Sequence, residues 1–196
     1  ETADGGLRFD WTYNSLGLGP HSSSEDATVG RNRSHTYSRR VTLDLENGYQ
    51  VMYLSRADGN EWRFDLAAGE WVSIVDSGIV HELVDNGTTI GWRYDSGNGD
   101  QEIYDAAGRL IELRGAQGRV VQLQRDQNNR VSQAGDDRGR VIGFSYGLSG
   151  YLESLQLPDG ASISFSYTVN GDLQKVTHQG GAETSYLYDE SGMVAV

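Results

Sequence analysis

"VIGFSYGLSGYLESLQLPDGASISFSYTVNGDLQKVT" occupies residues 141–177 and contains nearly the same phrase twice. The motif Phe-Ser-Tyr stands at 144–146 and returns at 165–167, 21 residues later. Self-similarity at a fixed period of roughly 20–50 residues is typical of proteins built from stacked structural units. The first question is therefore how far this period extends along the chain.

An aromatic column keeps the 21-residue period through the second half of the chain. It begins in "YDAAGRL" (104–110) and ends in "YDESGMV" (188–194). Arginine replaces tyrosine in a single unit, so the column is otherwise uniform. Its members are Tyr104, Arg125, Tyr146, Tyr167 and Tyr188.

Two glycine columns follow the same period. One lies four residues after each aromatic position, and the second lies ten residues after the first. Asn129 occupies one glycine position, and asparagine tolerates a positive φ better than most residues. Because the chain has 26 glycines but only 2 prolines, tight turns are expected rather than a flexible linker. The predicted structural turn glycines are Gly87, Gly108, Gly118, Gly139, Gly150, Gly160, Gly171, Gly181 and Gly192.

The segment before each aromatic position alternates between apolar and small polar residues. This period of two is typical of a β-strand with one buried face. If equivalent strands lie side by side, the apolar residues form a ladder along one face, with Phe144, Phe165 and Tyr186 as neighbours. The predicted inner-face ladder is Val121, Leu123, Ile142, Phe144, Tyr146, Ile163, Phe165, Tyr167, Tyr186 and Tyr188.

The other half of each unit has apolar residues at i and i+3, such as Leu110 and Leu113 or Leu152 and Leu155. A helix of six or seven residues would not be stable in water, so we expect a strand with a β-bulge. Each unit is then a β-hairpin of about 21 residues. The predicted fold is all-β, an elongated and curved antiparallel sheet of stacked hairpins.

The repeat does not cover the whole chain. Residues 1–40 do not fit it and are predicted to be an irregular lead-in segment, with a flexible loop over 17–30, "GLGPHSSSEDATVG". Residues 41–196 are predicted to form the repeat sheet. The units are regular from about residue 84, after a break in register between about 70 and 86.

Composition excludes several classes of function. A formal net charge of −12 argues against nucleic acid and anionic membrane surfaces as partners. The absence of cysteine excludes disulfides and thiolate metal sites. No apolar run approaches the roughly 18 residues that span a bilayer. The amino terminus has no signal-peptide pattern.

At this point the motifs resemble a known family. The phrase Tyr104-Asp105-Ala106-Ala107-Gly108-Arg109-Leu110 and the turn Pro158-Asp159-Gly160 resemble the RHS or YD repeat, and residues 141–177 follow its two-turn pattern. The stretch "LRFDWTYNSLGLG" (7–19) is similar to the segment that precedes the repeats in bacterial RHS proteins.

The resemblance implies an architecture rather than a catalytic site. RHS repeats spiral into a large hollow β-shell, which in bacterial polymorphic toxins encloses a carboxy-terminal toxin domain and is exported with it. This chain would supply the first turns of such a shell. Its implied partners are the rest of the shell and the enclosed toxin, and its implied location is that of a secreted or exported bacterial effector. The family's catalytic residues have no matching positions in this sequence.

Candidate sites in the sequence are weak. His21, His35, His81 and His178 lack metal-ligand spacing and are expected to be scattered surface or turn residues. "YDSGNGD" (94–100) suggests an oxygen-rich calcium loop only loosely, and a hairpin turn is preferred. Asp136-Asp137 is expected to be a solvated turn. No catalytic, cofactor or metal site is predicted.

Three hypotheses for the function remain. The first is a structural, non-catalytic wall segment of an RHS shell. The second is an adhesion module that binds carbohydrate or protein through the repeat surface. The third, an enzyme, has the least support because no convergent acid, base or nucleophile is visible. Under the first hypothesis the sheet has open edges, so this chain is also expected to self-associate.

Overall fold

The computed structural model describes residues 7–190 and 192–196. Within these ranges the chain contains β-strands and turns but no helix, and hence no helix that could cross a membrane. The strands are β1 (Trp11–Tyr13), β2 (Arg33–His35), β3 (Arg40–Glu46), β4 (Tyr49–Ser55), β5 (Glu61–Ala67), β6 (Glu70–Val72), β7 (Ile79–Asp85), β8 (Thr88–Asp95), β9 (Gln101–Asp105), β10 (Leu110–Arg114), β11 (Val120–Arg125), β12 (Val131–Asp136), β13 (Val141–Tyr146), β14 (Leu152–Gln156), β15 (Ser162–Tyr167), β16 (Leu173–His178), β17 (Glu183–Ser185), β18 (Leu187–Asp189) and β19 (Gly192–Ala195).

Fifteen of these strands form one antiparallel sheet in which every strand pairs with its neighbours in sequence, from β3 at one edge to β17 at the other. Two small sheets accompany it, β1 with β2 and β18 with β19. Each connection within the large sheet is a hairpin, so the predicted all-β architecture of stacked antiparallel hairpins is confirmed.

The predicted β-bulge is present in each repeat unit. One extra residue interrupts the pairing of β7–β8, β9–β10, β11–β12, β13–β14 and β15–β16. The bulge reverses the alternation, so residues on both sides of it, such as Leu152 and Leu155, can face the same core. The extra residues are themselves 21 apart: Ile90, Ile111, Ser132, Glu153 and Gln174.

The side-by-side aromatic ladder expected from the sequence is wrong. Phe144 on β13 pairs with Leu155 on β14, and Leu155 pairs with Ile163 on β15. Phe165 therefore lies two strands away from Phe144 and in a different row. The reason is that one unit contributes two strands, which places equivalent residues about 10 Å apart.

The individual residues of the predicted inner face do contribute to burial. Val121, Ile142, Phe144 and Phe165 are buried in the core. Leu123, Tyr146, Ile163, Tyr167 and Tyr186 are partly buried and pack against it. Tyr188 is half-buried. The face is thus a mixed aliphatic and aromatic surface instead of a column of rings.

The large sheet curls strongly at its first edge. Six strand intervals separate β3 from β9, or about 29 Å in a flat sheet. Even so, the Val41 amide donates to the Gly108 carbonyl at 2.8 Å, and Arg40 forms a β-bridge with Arg109. Residues 108 and 109 lie in the β9–β10 turn. Strands β3–β10 therefore curl round until the edge strand β3 meets the β9–β10 turn.

The segment before the sheet differs from the prediction of a flexible loop over 17–30. It has no strand there, but Asp26, Thr28, Val29 and Gly30 are buried. Their backbone is also bonded to the sheet, since the Leu152 amide donates to the Thr28 carbonyl at 2.7 Å. Buried backbone needs such partners, and the repeat strands supply them.

All nine predicted turn glycines adopt a positive φ, from 76° at Gly108 to 125° at Gly192, and Asn129 has a φ of 61°. They differ in their surroundings. A β-carbon at Gly150 would point into open space, whereas one at Gly108 would overlap the carbonyl of Val41. Gly108 is therefore required for two reasons, its backbone conformation and the closure of the curl.

We expect Gly108→Ala to destabilise the protein much more than Gly150→Ala. The second change costs about 1–2 kcal/mol for the left-handed backbone alone. The first adds a clash with backbone, which costs about 1–3 kcal/mol more. Urea unfolding of both variants checks this, and equal losses of stability would contradict the close contact at the curl.

Candidate functional site

The apolar face of the repeat sheet is covered by the lead-in segment, residues 7–40, and this interface is the candidate site. Strand β1 and the residues before it run across the repeat strands. Phe9 meets Phe144 edge to face at 5.4 Å between ring centroids, and Trp11 meets Phe165 at 5.6 Å. Tyr13 meets Tyr188 at 6.2 Å.

The spacing of these contacts matches two periods. Phe9, Trp11 and Tyr13 are two residues apart and lie on one side of an extended segment, about 6.6 Å apart. Phe144 and Phe165 are one 21-residue unit apart, or about 10 Å across the sheet. One lead-in ring therefore meets each unit when the segment crosses the strands obliquely. The alternation in "FDWTY" (9–13) is the sequence signal for this contact.

A second part of the lead-in segment follows the same units with polar contacts. The Thr28 carbonyl accepts from Leu152, and the Arg31 amide donates to the Gly171 carbonyl at 2.7 Å. Arg31 also forms a two-pronged ion pair with Asp172, at 2.9 and 3.1 Å. The lead-in segment thus contacts a new repeat unit every two or three residues, as Phe9, Trp11 and Tyr13 do with their rings.

Arg33 ends this strip beside the last unit. Its guanidinium lies over the rings of Tyr13 and Tyr186, at 5.1 and 4.5 Å. It also donates to the Tyr188 hydroxyl at 2.9 Å. Cation–π contacts of this kind are stronger when water is excluded, and Arg33 is only 2% exposed.

The one irregular repeat unit, which contains Arg125 and Asn129, lies against the acidic part of the lead-in segment. Arg125, which stands in the tyrosine column, contacts Asp26 at 3.3 Å. Asp26 also accepts from Arg40 at 2.8 Å. Asn129, which stands in the glycine column, donates to Glu25 at 3.4 Å. The two residues that depart from the repeat pattern therefore both bind the acidic pair Glu25-Asp26.

The tyrosine column holds neighbouring strands together. Three of its hydroxyls donate to the carbonyl 15 residues earlier: Tyr146 to Val131 at 2.6 Å, Tyr167 to Leu152 at 2.7 Å and Tyr188 to Leu173 at 2.7 Å. Arg125 makes the equivalent bond to Leu110 at 3.0 Å. The accepting residues lie immediately before the bulges, where the strand ladder is interrupted.

The aspartate of "YDAAGRL" is a turn cap. Asp105 accepts from the amides of Ala107 and Arg109 at 3.0 and 2.9 Å, and its other oxygen accepts from Arg109 Nε at 2.8 Å. Aspartate commonly stabilises turns in this way. Asp126 with Arg130, and Asp136 with Arg140, repeat the arrangement. The repeated phrase is scaffolding, and Asp136 serves a turn.

Glu102 anchors the end of the lead-in segment inside the curl. Arg56 contacts it through two bonds of 2.7 and 2.8 Å, and Arg39 and the Tyr104 hydroxyl also donate to it. Burial acts to raise the pKa of Glu102, but Arg39 and Arg56 outweigh it and lower the pKa to about 2. The carboxylate is therefore charged and paired at neutral pH.

His35 corrects the expectation that all four histidines are surface or turn residues, because it is only 2% exposed. Its Nδ1 accepts from the Tyr37 amide at 3.2 Å, and Nε2 lies 3.2 Å from the Thr28 hydroxyl. Burial, together with Arg125, lowers the pKa of His35 to about 3. The ring is neutral at physiological pH.

The other histidines lie nearer the surface. His21 stacks on Tyr53 at 3.8 Å and contacts Glu61 and Asp44, at 2.9 and 3.3 Å. Burial acts to lower the pKa of His21, but these two carboxylates raise it overall. His81 contacts Asp95 at 3.1 Å, and His178 is exposed.

The suggested calcium loop is a hairpin turn. Residues 96–100 connect β8 to β9, and the Ser96 amide donates to the Asp100 carbonyl at 2.9 Å. Among residues 7–190 and 192–196, no group of three His, Cys, Asp or Glu side chains is arranged to hold a metal.

This geometry defines a β-hairpin repeat protein whose inner face is covered by its own amino-terminal segment. A family model for the RHS repeat matches residues 104–141. Residues 104–141 therefore carry an RHS repeat, as the resemblance predicted. Outside the matched residues, β13–β16 continue the same hairpins, bulges and tyrosine contacts.

Two solved structures match this chain at low identity and with TM-scores below 0.5. One is the crystal structure of TcdB2-TccC3-TEV, with 12% identity and a TM-score of 0.45 over 79% of this chain. The other is the Photorhabdus luminescens Tc holotoxin pore in a TccC3 variant, with 12% identity and a TM-score of 0.42 over 78%. This chain spans about 10% of the length of each. A comparison with curated proteins gave no match.

We expect Tyr167→Phe to lower the free energy of unfolding by about 1–2 kcal/mol, because it leaves the Leu152 carbonyl without its hydroxyl donor. Tyr49→Phe is the matched control, since Tyr49 is 76% exposed and its hydroxyl should contribute little. Chemical denaturation of both variants measures the difference. Equal stability would show that the tyrosine column acts only by packing.

Acid should destabilise the protein through His35 before it affects the carboxylates. The folded-state pKa of His35 is lowered to about 3, so the unfolded chain binds the extra proton below about pH 6.5, and stability falls by up to about 1.4 kcal/mol per pH unit. Since the pKa of His21 is raised, its stabilising contribution is complete below pH 6.5. Protonation of Glu102 lowers the stability further only below about pH 4.5.

Denaturation of the wild type and of His35→Gln between pH 6.5 and 4.5 separates these groups. The wild type should lose stability across this range, and the variant should be nearly flat. A slope that persists unchanged in the variant would rule out His35 as its source.

Proposed function

We propose that this chain is a structural, non-catalytic wall segment of an RHS shell that encloses and protects a carboxy-terminal toxin or effector domain for export. The observation that carries the proposal is the continuous sheet of RHS-type hairpins, which runs through fifteen strands and curls. Stacked repeats suit a wall because each unit contacts only its neighbours, so the wall can be extended without a new core.

The lead-in segment supports this function by fixing the shape of the wall. It contacts successive units along the sheet, from Arg125 to Tyr188, and the curl ends in the contact between Val41 and Gly108. A wall that must hold its curvature needs such a cross-strand element, because hairpins alone leave the twist between units adjustable.

The test is electron microscopy and limited proteolysis of the full natural-length protein. We expect a hollow particle in which a carboxy-terminal domain resists protease until the particle is denatured. An extended, unclosed strip, or a carboxy-terminal domain that is digested in the native particle, would contradict the proposal.

The open edge of the sheet generates a second prediction. Among the described residues, β17 pairs only with β16. Tyr186 donates to the Gln174 carbonyl at 2.9 Å, so by antiparallel alternation the Ser185 amide points away from β16. An amide of this kind is available to a strand of another chain.

We therefore expect this chain to self-associate as its concentration rises, and Ser185→Pro to weaken the association. Proline removes the outward amide without removing a bond to β16. Ser185→Ala keeps the amide and is the control. Sedimentation equilibrium measures the effect, and a wild type that stays monomeric at all concentrations would contradict the open edge.

A further inference from the structure

A cleft of about 530 Å³ opens at the ends of the rolled strands, beside the end of the lead-in segment. It lies between the β4–β5 turn, the β6–β7 loop and the β8–β9 turn. Arg39, Arg56 and Glu102 line it on the inside, and Arg8, Asn98 and Arg114 are among the residues near its mouth. The proposed wall function does not use this cleft.

The cleft is lined by four arginines and four acidic residues, and the two kinds of charge are unevenly distributed within it. Two guanidinium groups, Arg39 and Arg56, converge on the single carboxylate of Glu102. Arg56 uses two nitrogens for that contact, whereas Arg39 uses one. The Nε of Arg39 is buried and has no hydrogen-bond partner. Two guanidinium groups therefore share one carboxylate at the floor. Asp58, Asp76 and Asp100 also line the cleft, and they accept hydrogen bonds from Asn60, Tyr94 and Ala116 respectively.

The walls are aromatic and polar. Arg56 lies over the Trp62 ring at 4.3 Å and 5.3 Å from the centroid of Tyr94. The Tyr94 hydroxyl donates to Asp76, which keeps that carboxylate occupied. At the mouth, Arg8 and Arg114 are 42% and 51% exposed in their side chains and pair with Asp10 and Glu112.

We propose that this cleft binds a small ligand that carries a carboxylate, with Arg39 as its main contact and Arg114 at the mouth. Planar guanidinium groups match carboxylates in shape and charge, and Glu102 already demonstrates this pairing in the same cluster. The Trp62 ring and the side chains of Asn98 and Gln101 would surround the rest of the ligand. Such a mixture of one charged anchor, an aromatic wall and a few amides is common in small-molecule sites.

Two chemical sources could supply the carboxylate, an acidic sugar or an acidic amino acid. The probes are therefore glucuronate and N-acetylglutamate, each titrated into the whole chain at about 0.15 M salt, where the net charge of −12 is screened beyond about 8 Å. Glucose is the neutral control. Chemical shifts of the Trp62 indole and the Gln101 side-chain amide report binding in the cleft.

We expect at least one carboxylate probe to bind saturably and glucose not to bind. Arg39→Gln should weaken binding about tenfold or more, equivalent to about 1.4 kcal/mol. Arg114→Gln should weaken it less. Arg63→Gln makes the same change of charge on an arginine outside the cleft, 44% exposed, and should leave binding unchanged.

Arg39→Gln could unfold the curl because Arg39 also contacts Glu102. In that case Arg114→Gln and the position of the shifted resonances decide the result. No saturable binding, equal binding of glucose, shifts that avoid Trp62 and Gln101, or equal effects of the Arg114 and Arg63 variants would overturn the proposal.

Discussion

The structure depends on covering one apolar face. Each hairpin presents aliphatic and aromatic side chains on the same side of the sheet, and a single layer of hairpins cannot bury them without a second surface. Residues 7–40 supply that surface for the later units, and the curl of β3–β10 supplies it for the earlier ones. Burial of this kind is the main favourable term in folding, so the lead-in segment is part of the core.

The lead-in segment can cover many units because its own period fits theirs. Rings at 9, 11 and 13 meet successive units, and a second strip that includes Thr28 and Arg31 does so with hydrogen bonds. Polar contacts fix which unit each residue meets, while aromatic contacts contribute the buried area. A shift by one residue would turn Phe9 and Trp11 away from the sheet.

The departures from the repeat have physical causes that the period alone does not reveal. Arg125 keeps the strand contact made by the tyrosines and adds a bond to Asp26. Asn129 keeps the positive φ of the glycine column and adds a bond to Glu25. The irregular unit is the one that receives the acidic residues of the lead-in segment.

The sequence predicted the sheet well because its signals are local. Alternation, turn glycines and the i, i+3 spacing each report on a few neighbouring residues, and the bulges follow from them. The sequence did not predict that His35 is buried, that Phe144 and Phe165 are separated by a strand, or that residues 26–30 are packed. The burial of His35 and of residues 26–30 depends on contacts between segments far apart in the chain, such as Arg31 with Asp172. The separation of Phe144 and Phe165 follows instead from the two strands that each unit contributes.

The Glu102 cluster and its cleft also escaped the sequence analysis. Arg39, Arg56 and Glu102 belong to three segments, and only the curl brings them together. No local pattern distinguishes these residues from surface charges. The tyrosine contacts could have been inferred in part, because their partners recur with the same 21-residue period as the tyrosines.

The central claim is that residues 7–40 hold the repeat sheet in its folded form. Hydrogen exchange of strands β13–β16 in the whole chain and in a chain that begins at Arg39 tests it most directly. If the claim is right, removing residues 7–38 exposes Phe144 and Phe165, and the amides of these strands exchange many times faster. Equal protection in the two chains would show that the hairpins are stable alone and would contradict the claim.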